Sequence, residues 1–199
     1  MKEALPAYLL AGGRSRRFGD GDKLRAEIDG VSLLAHVAAE LRPVASRVVA
    51  VADEADKYAD LGIETIADDG SHQGPLVGLL AALGDLRADE RWLLLVAGDL
   101  AHLRHAWLAP LLAARVDSDA AVAYRGGDRW QPVFALYSRA ARHLVRRRLA
   151  EGQRSLQGLL DALGARAVAP PDDWRRLINV NDREQLARAR GLGGEDDGG

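Results

Sequence analysis

The chain has 199 residues, 48% of them hydrophobic and 28% charged, a balance that fits one soluble globular core and excludes a disordered or fibrous chain. Its net charge of -2 gives no global electrostatic reason to bind nucleic acid or an anionic membrane surface, so any basic function must be local. The absence of cysteine excludes disulfides, thiolate catalysis and cysteine-ligated metal centres, and it suits a reducing cytoplasm, the location expected here.

In chain order, Tyr8 to Ala11 is a short apolar run stopped by Gly12-Gly13, which predicts a buried strand running into a loop. It is also too short for a membrane span. Ser32 can cap a helix whose Leu33, Leu34, Val37 and Leu41 share a face, and Pro43 ends it. Val44 to Val51 and Ile63 to Ile66 read as strands, and Asp68-Asp69-Gly70 breaks the pattern. Gly74-Pro75 starts a second helix with Leu76, Leu79, Leu80 and Leu83 as its apolar stripe. Trp92 to Ala97 is uniformly apolar, as a strand covered on both faces should be, and it ends at Gly98-Asp99.

Ala120 to Tyr124 and Val133 to Tyr137 predict two strands, antiparallel across the turn-rich Arg125 to Arg129. Arg139 to Leu149 and Ser155 to Leu163 read as helices, Arg166 to Ala169 as a strand, and Asp182 to Arg190 as a last helix capped by Asp182. Alternating strands and helices predict one three-layer α/β/α domain over residues 1–190, Rossmann-like, with a mostly parallel mixed sheet and a frayed tail at 191–199. Ligands of such sheets bind at the carboxyl ends of the strands, where both Gly12 and Asp99 fall.

Paired glycines after a buried strand let a ligand approach the backbone, and their N–H groups can face phosphate oxygens. Arg14, Arg16, Arg17 and Lys23 add cations suited to a polyphosphate and to a departing pyrophosphate. The loop is neither a Walker A nor a Gly-x-Gly-x-x-Gly sequence. Asp99 alone reads as a turn residue; with a phosphate loop on another strand end it reads as a hard oxygen ligand for magnesium. His102 and His105 lack the further ligands of a zinc set and suit surface or capping roles. His36 and His143 suit packing or solvent, and His72 stands near the helix start at Gly74. Arg146 to Arg148 reads as a solvated helix face, while Arg154 and Ser155 are candidates to reach an anionic acceptor.

The run Leu10-Ala11-Gly12-Gly13-x-Ser15-x-Arg17-x-Gly19 followed by Asp22-Lys23 resembles the signature loop of small-molecule nucleotidyltransferases, specifically the molybdenum cofactor guanylyltransferases. Gly74 to Leu79, Ala97-Gly98-Asp99, Gln131 to Tyr137 and Asn179-Val180-Asn181-Asp182 extend the resemblance in order, over residues 7–190. It implies a nucleotide-diphospho-sugar transferase type of fold. Leu10, Ala11, Gly12 and Gly13 would lie at the nucleotide, Lys23 at its phosphates with Arg14 or Arg17, Asp68 near the nucleoside with Asp69 as its rival, and Asp99 at Mg2+.

The implied reaction is GMP transfer from GTP to molybdopterin-bound molybdenum cofactor with release of pyrophosphate. A molybdoenzyme or a cofactor-biosynthesis protein is the implied protein partner. Three departures from the family pattern bear on substrate choice. The segment Ala50-Val51-Ala52-Asp53 lacks the Asn that the family often has soon after its second strand, Leu100-Ala101-His102 replaces the Pro-containing sequence after the metal Asp, and Gln131-Pro132 replaces His-Pro. CTP, a sugar phosphate acceptor or a non-catalytic nucleotide-binding domain are therefore the alternatives.

Overall fold

A computed structural model describes residues 4–12, 22–68 and 74–192. Strand β1 (Leu5–Leu10) starts at Leu5 rather than Tyr8, and Pro6, which has no N–H to donate, coincides with an irregularity in its pairing. It lies between β4 (Ala45–Ala52) and β6 (Trp92–Ala97), parallel to both. Outside β4 is β5 (Glu64–Ala67). Outside β6 come β9 (Arg129–Ser138), β8 (Ala121–Gly126) and β10 (Arg166–Val168), so the order is β10-β8-β9-β6-β1-β4-β5. β9 is antiparallel to both neighbours and the remaining pairings of this sheet are parallel, which is the mostly parallel mixed sheet expected.

Successive strand residues point to opposite faces, and both faces are covered. On one, Leu9, Ala50 and Val96 pack with Leu34, Val37 and Leu41 of α1 (Leu33–Leu41) and Leu111 of α3 (Leu108–Ala114). On the other, Tyr8, Val51 and Leu95 meet Leu76, Leu79 and Leu83 of α2 (Pro75–Asp85), Val145 of α4 (Ala141–Ala150) and Leu159 of α5 (Leu156–Ala162). This two-sided burial is why β6 is apolar throughout.

The buried face of α2 includes Val77 and Gly78, while Leu80 of the predicted stripe is half-buried. A Cβ at Gly78 would stand 2.5 Å from Leu10 Cδ2, so the missing side chain lets helix and strand approach. Ser155 caps α5, its Oγ accepting the Gly158 N–H at 3.2 Å. Arg146 and Arg147 are exposed as expected, whereas Arg148 is partly buried against Gly158.

Two short pairs had no strand-length signal: β2 (Glu27–Ile28) with β3 (Val31–Ser32), and β7 (Leu100–Ala101) with β11 (Ile178–Asn179). Helix α6 (Arg183–Leu192) extends two residues into the stretch read as tail. Asp182 Oδ1 accepts the Gln185 N–H at 2.8 Å, and Gln185 Oε1 accepts the Asn181 N–H at 2.6 Å, a reciprocal cap at the helix start. α6 then buries Leu186 and Ala189 in a satellite core with Ile28, Leu33, Ala101 and Val180.

At the amino ends of the central strands, Arg47 donates to Asp85 (2.8 Å), to the Tyr8 hydroxyl (2.5 Å) and to Glu90 (3.1 Å). Burial alone would raise the Glu90 pKa, but the Arg47 guanidinium and the Arg87 N–H outweigh it and hold the carboxyl below its ordinary 4.5. A depressed native pKa contributes stability above the unfolded value, which is lost as pH falls through the native one. Glu90→Gln is expected to destabilise the fold by about 1–3 kcal/mol at pH 7 in urea unfolding. The gap from wild type should narrow below pH 4.5; a gap that stays constant with pH would remove Glu90 from the account.

Candidate active site

The chain leaves β1 for β4 on one side and later returns to β6 on the other, so a crevice opens at the carboxyl ends between these strands. Backbone bonds fix its floor: Ala11 N–H donates to Val51 O at 2.8 Å and Gly98 N–H to Leu10 O at 3.0 Å. A Cβ at Gly98 would stand 2.8 Å from Leu34 Cδ1 and 3.1 Å from Leu10 O, so the turn after β6 needs glycine. Among the described residues a Cβ at Gly12 would meet only ordinary contacts, the nearest being Asp68 Oδ2 at 3.5 Å. Asp68 is thereby beside Gly12, tied by its own N–H to Ala52 O at 2.7 Å. Gly13, Arg14, Arg16, Arg17, Asp69 and His72 lie outside the described residues.

Lys23 opens a 3-10 turn, Lys23–Arg25, whose cap is Asp22. Across 76 positions its ammonium forms an ion pair with Asp99 Oδ2, so the predicted phosphate cation and the predicted metal carboxylate meet directly. Asp99 is only 8% exposed, and a carboxylate so placed demands partners. The second is Asn179: with its amide nitrogen towards Asp99, it donates to Oδ1 at 3.0 Å and Oδ2 at 2.9 Å. Val180 N–H adds a bond to Asp99 O at 3.0 Å, and the β7–β11 pair holds the two segments in register.

The groove so formed has a volume of about 230 Å³ and is lined by Leu10, Ala11, Gly12, Lys23, Asp99 and Val133, among others. Val133 arrives through a bulge. β9 pairs Ala135 with Ala123 and then Gln131 with Tyr124, skipping Pro132 to Phe134, where Pro132 has no N–H for the ladder. The described lining contains no histidine. His102 bonds instead to Ala189 O (2.8 Å), His105 to Glu40 (2.7 Å) and His36 to Ile28 O (2.7 Å), while His143 is exposed. Asp53, at the end of the segment that lacks an Asn, accepts from Lys57 at 2.7 Å.

The donor set bears on magnesium, which takes one or two protein carboxylates and leaves its remaining positions to phosphate and water. Of the two carboxylates lining the groove, Asp22 spends its oxygens on Leu24 N–H (3.0 Å) and the Tyr58 hydroxyl (2.8 Å), whereas Asp99 is held by Asn179 and by Lys23, itself a groove cation. Among the described residues no group of three or more His, Cys, Asp or Glu could hold a metal. The residues thus fit an ion shared with a phosphate, not one caged by protein.

Sequence reasoning had placed Asn179 at a helix start but not in the site. Its amide reaches Asp99 through two strands of two residues each, which carry no periodicity to read.

A glycine-terminated central strand, a groove cation and a strand-end carboxylate at the carboxyl ends of a three-layer sheet make a site suited to a phosphorylated ligand. The MobA-like NTP transferase domain model matches residues 7–168, and the chain belongs to that family. It is 31% identical over 191 residues to the molybdenum cofactor guanylyltransferase of Pseudomonas putida, covering 94% of this chain and 99% of that one. It is 34% identical to a probable molybdenum cofactor guanylyltransferase of Opitutus terrae, covering 94% and 95%. The molybdopterin-guanine dinucleotide biosynthesis protein A of Archaeoglobus fulgidus has the same fold, with a TM-score of 0.79 at 21% identity over 96% of this chain and 99% of that one. No described helix is long and apolar enough to cross a membrane.

Asn179→Ala removes a donor from a nearly buried carboxylate and should lower stability by about 1–3 kcal/mol in denaturant unfolding. In an Asp99→Ala background the same change should cost far less, with a coupling energy above about 0.5 kcal/mol. Additive effects would separate the two residues.

Proposed function

We propose that this chain transfers GMP from GTP to the terminal phosphate of molybdopterin-bound molybdenum cofactor, releasing pyrophosphate. The observation that carries the reading is the meeting of Lys23 and Asp99 at the crevice between β1 and β6. The guanylyltransferase names of relatives that match the chain over nearly its whole length support the nucleotide and the acceptor.

On this reading Leu10, Ala11 and Gly12 form the floor for the nucleotide, and Asp68 flanks its nucleoside side. Lys23 exchanges its carboxylate partner for the β- and γ-phosphates and steadies the charge that builds on the leaving pyrophosphate. Arg14 and Arg17 are proposed to assist it. Asp99, released by Lys23 and oriented by Asn179, would hold Mg2+ against a phosphate oxygen. The ion, when bound, would neutralise charge on the reacting phosphates. A terminal phosphate nucleophile is already ionised near neutral pH, so positioning and charge stabilisation can suffice without a general base. This suits a groove whose described lining has no histidine.

A second pocket of about 370 Å³ is proposed for the acceptor. Trp130, Trp174 and Tyr124 give it aromatic walls suited to a pterin, and Arg129 supplies a cation. Gln131 lines this pocket and Val133 lines the nucleotide groove, two positions apart on β9, so the strand links the two.

Lys23→Ala is expected to reduce pyrophosphate release at saturating GTP and cofactor by on the order of 100-fold. Asp99→Ala should lose a comparable factor together with the response to magnesium concentration. Wild-type turnover in Lys23→Ala would refute the groove assignment, and unchanged magnesium dependence in Asp99→Ala would remove that residue from the metal.

A further inference from the structure

Tyr58 lies in the turn region between β4 and β5, is fully buried, and packs in the core beneath the groove. Nothing in the local sequence marks it. Its hydroxyl donates to Asp22 Oδ2 at 2.8 Å and stands 3.4 Å from Ala11 O. Ala11 precedes residues 13–21 and Asp22 follows them, so one hydroxyl reaches both described flanks of the glycine-arginine segment. The other Asp22 oxygen, Oδ1, accepts the Leu24 N–H at 3.0 Å and caps the turn that begins with Lys23.

The ring is held as firmly as the hydroxyl. Arg25 lies over it at 5.4 Å while donating to Asp60 (2.6 and 3.0 Å) and to Lys57 O (2.8 Å). The Lys57 ammonium stands 5.7 Å from the ring centre and is tied to Asp53. Tyr58 N–H bonds to Thr65 Oγ1 at 3.3 Å. Burial, and then the Asp22 carboxylate, push the phenol pKa far up, so the hydroxyl remains a donor at any working pH.

We infer that Tyr58 is a positioning residue for nucleotidyl transfer: its hydroxyl fixes Asp22, and through the capped turn it fixes where Lys23 presents its ammonium. This rests on the reading that Lys23 binds the nucleotide's phosphates. Tyr8 supplies an internal control, because its buried hydroxyl also donates to a carboxylate, Asp85 at 2.7 Å, but at the far end of the strand. Replacing either tyrosine by Phe removes one hydroxyl–carboxylate bond and keeps the ring.

The test compares Tyr58→Phe with Tyr8→Phe in the full chain, by thermal unfolding and by pyrophosphate release with varied GTP and with varied cofactor. Both variants should lose stability, while only Tyr58→Phe should lose kcat/KM for GTP, by about 10-fold, with KM for the cofactor within about 2-fold of wild type. In a Lys23→Ala background, Tyr58→Phe should add less than about 2-fold. If Tyr58→Phe fails to fold, Asp22→Ala should give the same selective loss for GTP. Equal kinetics in the two Phe variants, alongside a crippled Lys23→Ala, would overturn the inference alone. Wild-type turnover in Lys23→Ala would overturn the reading of the groove and the inference with it.

Discussion

The ion pair between Lys23 and Asp99 is the interaction around which the site is arranged. It joins a turn that follows the first strand to the end of the sheet's most apolar strand, 76 residues later. A carboxylate 8% exposed at the end of an apolar strand is costly without partners, and leaving one stranded in such a place costs on the order of 3–5 kcal/mol. Much of the surrounding structure supplies or orients those partners. Asp22 caps the turn bearing Lys23, Tyr58 holds Asp22, Asn179 donates to Asp99, and α6 anchors the segment that brings Asn179 there. On the proposed function the pair is also a stand-in for the ligand. Phosphate would replace the carboxylate for Lys23, and a cation would replace the ammonium for Asp99, so neither charge is left unpaired at any stage.

Two polar networks stand at opposite ends of the strands. At their amino ends Arg47, Asp85, Glu90 and Tyr8 form a closed set of charge-assisted bonds, remote from the groove. At their carboxyl ends polar groups are held by few contacts from several segments, and the backbone is kept open at Gly12 and tight at Gly98. Tyr8 and Tyr58 illustrate the division: similar buried phenols bond to carboxylates at opposite ends of the sheet, one beside a stability network and one beside Lys23.

The sequence was most legible where the signal is local. The apolar run of β6, the capped start of α1 at Ser32 and the Gly-Pro start of α2 all stand close to where their residues predict. Lys23, Asp99, Leu10, Ala11 and Gly12 do come together at one crevice. What escaped was non-local. Asn179 depends on a pairing of two-residue strands, Val133 on a bulge at Pro132, and Tyr58 on a contact across 36 positions, and none of these leaves a local pattern. α3 was missed as well: Leu108, Leu111 and Leu112 have helical spacing, but Pro110 stands among them, tolerated only because it falls in the first turn.

Lys23 changing partners when nucleotide binds can be observed directly, because the chain has three lysines, Lys2, Lys23 and Lys57. Carbon-13 labelling at Lys Cε allows each ammonium's neighbourhood to be followed by NMR, with Lys23→Arg assigning the signal. Titration with GTP and magnesium is predicted to move the Lys23 resonance in a saturable manner while that of Lys57, tied to Asp53, stays in place. A Lys23 resonance unchanged at nucleotide concentrations that saturate binding by calorimetry would contradict the account.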